Sequence, residues 1–195
     1  SVDRSEGNLH IGGVCRSNAL IASIMGYTFI SCAPKPAEML PQDVALVQAN
    51  CKKSGGRFIQ TDDPYEYIDQ VDFIITDAWW YHGSDHLKDK KLDEFFPTYA
   101  VNDELIAAAP AWAKVMHPLP GNRGYEIAES VWDGPHSLLI EQAANRFHTQ
   151  KGLLATFMYP RVREQKEALV SYYTAQVEQA LTQTVDKIAG THYDA

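Results

Sequence analysis

The amino-acid sequence predicts an α/β fold: three layers, with a mostly parallel sheet covered by helices on both faces, and a long helix at the C-terminal end. Three observations lead there. Short apolar runs rich in β-branched and aromatic residues alternate with segments of helical spacing. Glycines stand where those helices should stop. Two of the apolar runs end on a chemically capable residue, Asp77 and His117, as strands do when a parallel sheet presents its carboxyl edge to a ligand.

"NLHIGGV" (8–14) is a short apolar run closing in glycines, which reads as a buried strand. "RSNALIASIMG" (16–26) has helical spacing and stops at Gly26. "YTFISCA" (27–33) predicts a second strand. Pro34, Pro36 and Pro41 mark a loop, and "QDVALVQANCKKSGG" (42–56) predicts a helix closed by Gly55. "RFIQT" (57–61) is a third strand. "DPYEYIDQ" (63–70) predicts a short helix capped by Asp63 with Pro64 in its first position. "VDFIIT" (71–76) is a fourth strand ending at Asp77, and a polar, aromatic segment runs from there to Pro97. "NDELIAAAP" (102–110) predicts a capped helix, "AKVMH" (113–117) a fifth strand, and "SLLI" (137–140) a sixth. The βαβα order makes the whole Rossmann-like.

Bulk properties narrow the function. A chain of 195 residues with 45% hydrophobic content can bury a sizeable core. A formal charge of -8 with no Lys/Arg stripe excludes a nucleic-acid partner. No apolar run approaches the roughly 20 residues that span a bilayer, and no leader is evident, so a cytoplasmic protein is expected. Three scattered cysteines, Cys15, Cys32 and Cys51, fit free thiols in a reducing compartment.

Motifs narrow it further. "IGGV" is not a dinucleotide-binding loop, and the chain has neither a P-loop nor a GxSxG elbow. His82 and His86 are four residues apart, but Gly83 between them favours a loop, so no metal and no cofactor is expected. His117 ends a strand and is followed by Pro118 and Pro120, which fix the backbone beyond it. From pattern alone it is either a ligand-edge histidine or a strand cap. Arg146, in "EQAANRFHTQKGLL", is either a solvated helix charge or a clamp for an anion.

The stretch 76–154, "TDAWWYHGSDHLKDKKLDEFFPTYAVNDELIAAAPAWAKVMHPLPGNRGYEIAESVWDGPHSLLIEQAANRFHTQKGLL", resembles the second, amino-acid-binding domain of ornithine carbamoyltransferases. That family carries a TDxWxSMG loop, an HCLP turn, an RG(x)E(V/I) segment, a DGPxS strand entry and an ENRxHxQK helix. Upstream, "RSNALIASIMGYTFISCAPKPAEMLP" is closer to aspartate carbamoyltransferase, as is the HPLP form of the turn.

The resemblance implies a role for each matched residue. His117 polarises the carbamoyl oxygen and, with Asp77, forms the catalytic pair. The backbone carbonyls of Pro118 and Leu119 hold the carbamoyl amide, and Arg146 reaches carbamoyl phosphate. Asp77 orients the attacking amine. Asn18 is matched to an asparagine that grips the amino-acid main chain, and Tyr81 and His82 line the side-chain pocket. Departures go with these matches: Tyr81 and His82 replace the Ser and Met of the ornithine loop, Pro118 replaces the cysteine of HCLP, and Ala144 the glutamate of ENR. The Ser-Thr-Arg-Thr and His-Pro-x-Gln strings of the family's carbamoyl-phosphate domain do not occur in the chain.

The tail from Arg161 has apolar residues at Val162, Leu169, Val170, Tyr173, Val177, Leu181, Val185 and Ile188, a helical stripe that packs on its own domain or docks on a partner. The expected organisation is an amino-acid-binding domain over 1–159 and a helical extension over 160–195. Two functions stay open. The chain is either the substrate-binding half of an amino-acid carbamoyltransferase, for an ornithine-like or aspartate-like amine, or a non-catalytic binding or assembly module of the same fold. The resemblance implies as partners carbamoyl phosphate, the amino-acid substrate, a carbamoyl-phosphate-binding domain in the same or another chain, and further copies of the chain in a trimer.

Overall fold

The computed structural model describes residues 13–80, 85–158, 170–179 and 182. The chain forms two compact units, Ser1–Ala144 and Asn145–Ala195. In the first unit, α1 (Gly13–Met25) leads to β1 (Thr28–Cys32), α2 (Pro41–Ser54) and β2 (Arg57–Thr61). The strands β1 and β2 are parallel, with Phe29 opposite Phe58 and their rings stacked at 6.4 Å. Pro41 occupies the first helical position of α2, where its missing N–H costs nothing. At the other end Gly55 takes the left-handed conformation, at φ 82°, and its N–H closes the helix on the Cys51 carbonyl at 2.9 Å. Both helices bury one face against the strand pair, through Ala19 from α1 and Val47 and Cys51 from α2, with Met39 from the preceding loop.

The second half of this unit repeats the logic. β3 (Phe73–Ile75) and β4 (Lys114–Met116) are parallel, with Ile75 opposite Met116. Between them lie α3 (Lys88–Phe95) and α4 (Asp103–Ala108). Asn102 caps α4, its side chain accepting the Leu105 N–H at 2.9 Å. The short α5 (Glu129–Trp132) comes next, and then α6 (Leu139–Met158), which begins in the first unit and passes into the second. The core of this half joins Ile68, Val101, Leu105, Val115, Ile127, Val131, Trp132 and Leu139.

The α/β class, the parallel pairing and most elements agree with expectation, and the differences have physical reasons. Residues 8–12 of the first expected strand lie outside the described residues, and its last two, Gly13 and Val14, open α1 instead. Among the described residues the strands form two parallel pairs and not one ladder of five or six. Asp63 does cap, accepting the Tyr65 N–H at 2.8 Å, but it opens a turn and a 3-10 turn at Ile68–Gln70 in place of an α-helix. The polar, aromatic segment up to Pro97, to which the sequence pattern assigned no element, contains α3. "SLLI" is not a strand: Ser137 touches Val115 in a single bridge, and Leu139 already belongs to α6. The helical spacing of the residues after it outweighs three apolar residues.

In the second unit, 170–179 is helical and its Val170, Tyr173 and Val177 are exposed. The remaining stripe residues, Val162, Leu169, Leu181, Val185 and Ile188, lie outside the described residues. No helix among the described residues is long and apolar enough to cross a membrane.

Candidate functional site at the carboxyl ends of two strands

The β3–β4 ladder continues for one bond past the strands, from the Thr76 N–H to the Met116 carbonyl at 3.2 Å. Thr76 and His117 are thus the last paired level, and Asp77 and Pro118 emerge together just beyond it. Alternation along β4 buries Val115 and His117 on the same side, and both are 0% exposed.

The turn after β4 determines what the imidazole can do. Leu119 takes a left-handed conformation at φ 55°, a region costly for a side chain with a β-carbon. That conformation folds its N–H back onto Nδ1 of His117 at 2.9 Å. A backbone N–H can only donate, so Nδ1 must be the acceptor and the ring's proton sits on Nε2. Burial pushes the imidazole below its ordinary pKa, although Glu126 and Asp77 each pull it back upward. The neutral ring therefore presents an Nε2–H donor, which is fully buried and has no hydrogen-bond partner among the described residues. An orphaned buried donor is uncommon and costs about 1–3 kcal/mol.

Packing fixes the ring. Trp132 lies at 6.0 Å, centroid to centroid. The Arg123 guanidinium sits 4.8 Å over the Trp132 ring and is itself held by Asp133, at 2.5 and 2.9 Å. Asp77 is half-buried, and one of its oxygens accepts the Ala78 N–H at 2.8 Å.

The structure brings Asp77, His117, Pro118 and Leu119 together. Asn18 lies half-buried on α1, one turn beyond Cys15. No hydrogen bond joins Asn18 to Asp77 or His117 among the described residues. Burial pushes the Cys15 thiol up to about 11, and the Asp77 carboxylate adds to the rise, so the start of α1 is near the strand ends and the thiol is not a nucleophile. Arg146 is exposed on the part of α6 that belongs to the second unit. Tyr81 and His82 lie outside the described residues. No group of metal-binding side chains occurs among the described residues, and His86 is exposed.

One residue was given no role by sequence reasoning. Glu126 is 0% exposed, and its carboxylate accepts from the Trp79 N–H (3.1 Å), the Asn122 N–H (2.7 Å) and the Asn122 side-chain amide (2.7 Å). The signal for it was a glutamate in "GYEIA", an apolar context where a charge is expensive unless satisfied.

Comparison with known proteins extends over the same residues. Residues 8–157 match the aspartate/ornithine carbamoyltransferase family, Asp/Orn binding domain. A putrescine carbamoyltransferase of Mycoplasma capricolum is 32% identical over 165 residues, 85% of this chain and 45% of that protein. An ornithine carbamoyltransferase of Methanosarcina acetivorans is 42% identical over 145 residues, 74% of this chain and 46% of that protein. The ornithine carbamoyltransferase structure from Pyrococcus furiosus superposes with a TM-score of 0.67 at 31% identity, over 72% of this chain and 44% of that one. The chain thus spans somewhat under half the length of these relatives. With its parallel strand pairs, its histidine-ended strand and a match over most of its length, this chain belongs to the aspartate/ornithine carbamoyltransferase family, in the region of that family's Asp/Orn binding domain.

Proposed function

We propose that this chain is the amine-binding half of a carbamoyltransferase, and that it works with a carbamoyl-phosphate-binding domain carried in the same or another chain. The observation that carries the reading is the buried Nε2–H of His117. In carbamoyl transfer the substrate amine attacks the carbonyl carbon of carbamoyl phosphate, negative charge grows on the carbonyl oxygen, and the C–O bond to phosphate breaks. A fixed donor aimed at that oxygen stabilises the developing charge, and removing one such donor costs about 100–1000-fold in rate. The Leu119 N–H keeps the proton on the correct nitrogen.

The other roles are those the family resemblance implies. The carbonyls of Pro118 and Leu119, in the rigid turn, accept from the carbamoyl amide. Asp77 has one oxygen engaged with Ala78, and the second, which accepts no hydrogen bond among the described residues, orients the amine. Arg146 supplies a guanidinium for the phosphate, and Asn18 a grip on the amino-acid main chain. Tyr81 and His82 replace the Ser and Met of the ornithine loop, changing its size and polarity, and select against ornithine itself, in favour of a differently shaped or acidic amine. The similarity to putrescine carbamoyltransferases adds a diamine to the substrates worth testing. The domain reading is 1–159 for amine binding and 160–195 for an extension that docks on a neighbour, in a trimer. Three free cysteines favour a cytoplasmic location.

The test is transfer from carbamoyl phosphate to ornithine, putrescine and aspartate by the enzyme assembled from this chain and a carbamoyl-phosphate-binding domain. Transfer to at least one amine, lost in His117→Ala, supports the reading. Equal transfer with and without His117 refutes it.

A further inference from the structure

The Glu126 carboxylate is the one fully buried acidic group among the described residues, and no cation pairs with it there. A buried ionised carboxylate is costly, and an apolar side chain of similar volume would often serve stability as well or better. Its placement suggests what it does instead. Its three donors come from two separate loops. Trp79 stands two residues after Asp77, and Asn122 five residues after His117. The neighbouring Gly121 packs directly on the His117 ring. The backbone of Glu126 is anchored independently, since the Val101 N–H donates to its carbonyl at 2.9 Å and the next residue, Ile127, pairs with Val101. The carboxylate is thus a fixed post to which both loops are tied.

We propose that Glu126 is a positioning residue for carbamoyl transfer: it touches no substrate, and it holds the Asp77 loop and the His117 turn in the one relative placement that lets the amine meet the carbamoyl carbon. The proposal rests on the catalytic reading of His117 and Asp77 given above. Proximity effects make such alignment valuable, since a displacement of about 1 Å costs on the order of 100-fold in rate.

Glutamine at this position keeps the volume and breaks the device. Oε1 accepts from both Trp79 and Asn122, and Oε2 from the Asn122 N–H. An amide has one acceptor oxygen, so its NH2 must face at least one of those donors whichever way it is turned. Aspartate keeps both acceptors and the charge, but is one methylene shorter.

The experiment compares wild type, Glu126→Gln, Glu126→Asp and His117→Ala in the assembled enzyme. Three readings are expected: in Glu126→Gln, kcat lower by about 10–100-fold with the KM for carbamoyl phosphate within a few-fold of wild type; partial recovery in Glu126→Asp; and, again in Glu126→Gln, an acid limb of kcat/KM moved to lower pH. The last arises because His117 is faced by two carboxylates, Asp77 from the loop after β3 and Glu126, and by the Arg123 cation beyond Trp132, so losing Glu126 removes a pull toward protonation. Amide hydrogen exchange provides a reading independent of turnover: Trp79 and Asn122 should lose protection together in Glu126→Gln. A folded Glu126→Gln enzyme with wild-type kcat and an unmoved acid limb overturns the proposal. So does unchanged protection at both amides, even where Glu126→Gln proves too unstable to assay at the usual temperature. If His117→Ala is inactive and Glu126→Gln is not, only this proposal fails. If His117→Ala is fully active, the catalytic reading fails and takes the proposal with it.

Discussion

A β-carbon added at Gly121 would lie 2.9 Å from Cε1 and 3.0 Å from Nε2 of His117, and 2.7 Å from the Trp132 ring. Nothing larger than hydrogen fits there, and both neighbours are core side chains that cannot swing away. The glycine thus sets how closely the turn after β4 wraps the imidazole. Gly121→Ala should destabilise the fold by about 1–3 kcal/mol through overpacking. Urea unfolding measures this, and an unchanged midpoint would show that the ring has room to move.

The depressed pKa of His117 gives stability a pH dependence of known sign. The unfolded chain takes up a proton on this residue near the ordinary value of 6.5, and the folded chain takes it up only at lower pH. Between those two values the unfolded state binds more protons, so stability rises with pH across the window and is lost as the pH falls through it. Unfolding measured at several pH values from about 7.5 down to about 5 should show a loss in wild type that is smaller in His117→Gln. Parallel curves for the two proteins would mean that His117 does not change its protonation behaviour on folding.

Asp77→Ala should weaken binding of the amine substrate while leaving the fold intact, because the residue is half-buried and its bond to the Ala78 N–H lies within its own loop. A charge-assisted hydrogen bond contributes about 1.5–3 kcal/mol, or roughly a 10–150-fold change in affinity. Calorimetric titration of ornithine, putrescine and aspartate into the assembled enzyme reads this directly when the enzyme is first loaded with an unreactive analogue of carbamoyl phosphate in which a methylene replaces the bridging oxygen, so that no transfer occurs. Equal affinities in wild type and variant would remove Asp77 from the site.

Asn102 tests the helix that comes after the α3 segment. Its side chain satisfies one orphaned N–H at the start of α4. Asn102→Ala should cost about 1 kcal/mol and Asn102→Asp close to nothing, by thermal unfolding. Equal losses would point to packing in place of capping.

The residues behind these predictions were legible in the sequence to different degrees. Gly26, Gly55 and Asn102 marked helix ends because capping is local chemistry, readable from two or three adjacent residues. His117 and Asp77 were legible because a polar residue ending an apolar run signals a strand's carboxyl edge. Glu126 was not, since its value depends on Trp79, which stands 47 residues away in the chain and is brought near only by the pairing of β3 with β4. The helix α3 was hidden by its composition: "KDKKLDEF" has a sparse apolar stripe, and its stability comes from Leu92 and Phe95 packing against Trp79, Trp80 and Ala100. "SLLI" misled in the opposite direction, because three apolar residues do not distinguish a strand from the buried start of a helix.

The catalytic reading turns on His117, at the end of β4, polarising a carbamoyl oxygen once this chain is completed by a carbamoyl-phosphate-binding domain. Its sharpest test is formation of ureido product from carbamoyl phosphate and the preferred amine by four samples: the 195-residue chain alone, the assembled enzyme, the assembled enzyme with His117→Ala, and the same enzyme with His117→Gln. The expected outcome is no measurable transfer by the chain alone, clear transfer by the assembled enzyme, and a loss of about 100-fold or more in both variants. Transfer by the chain alone, or wild-type transfer without His117, would contradict it.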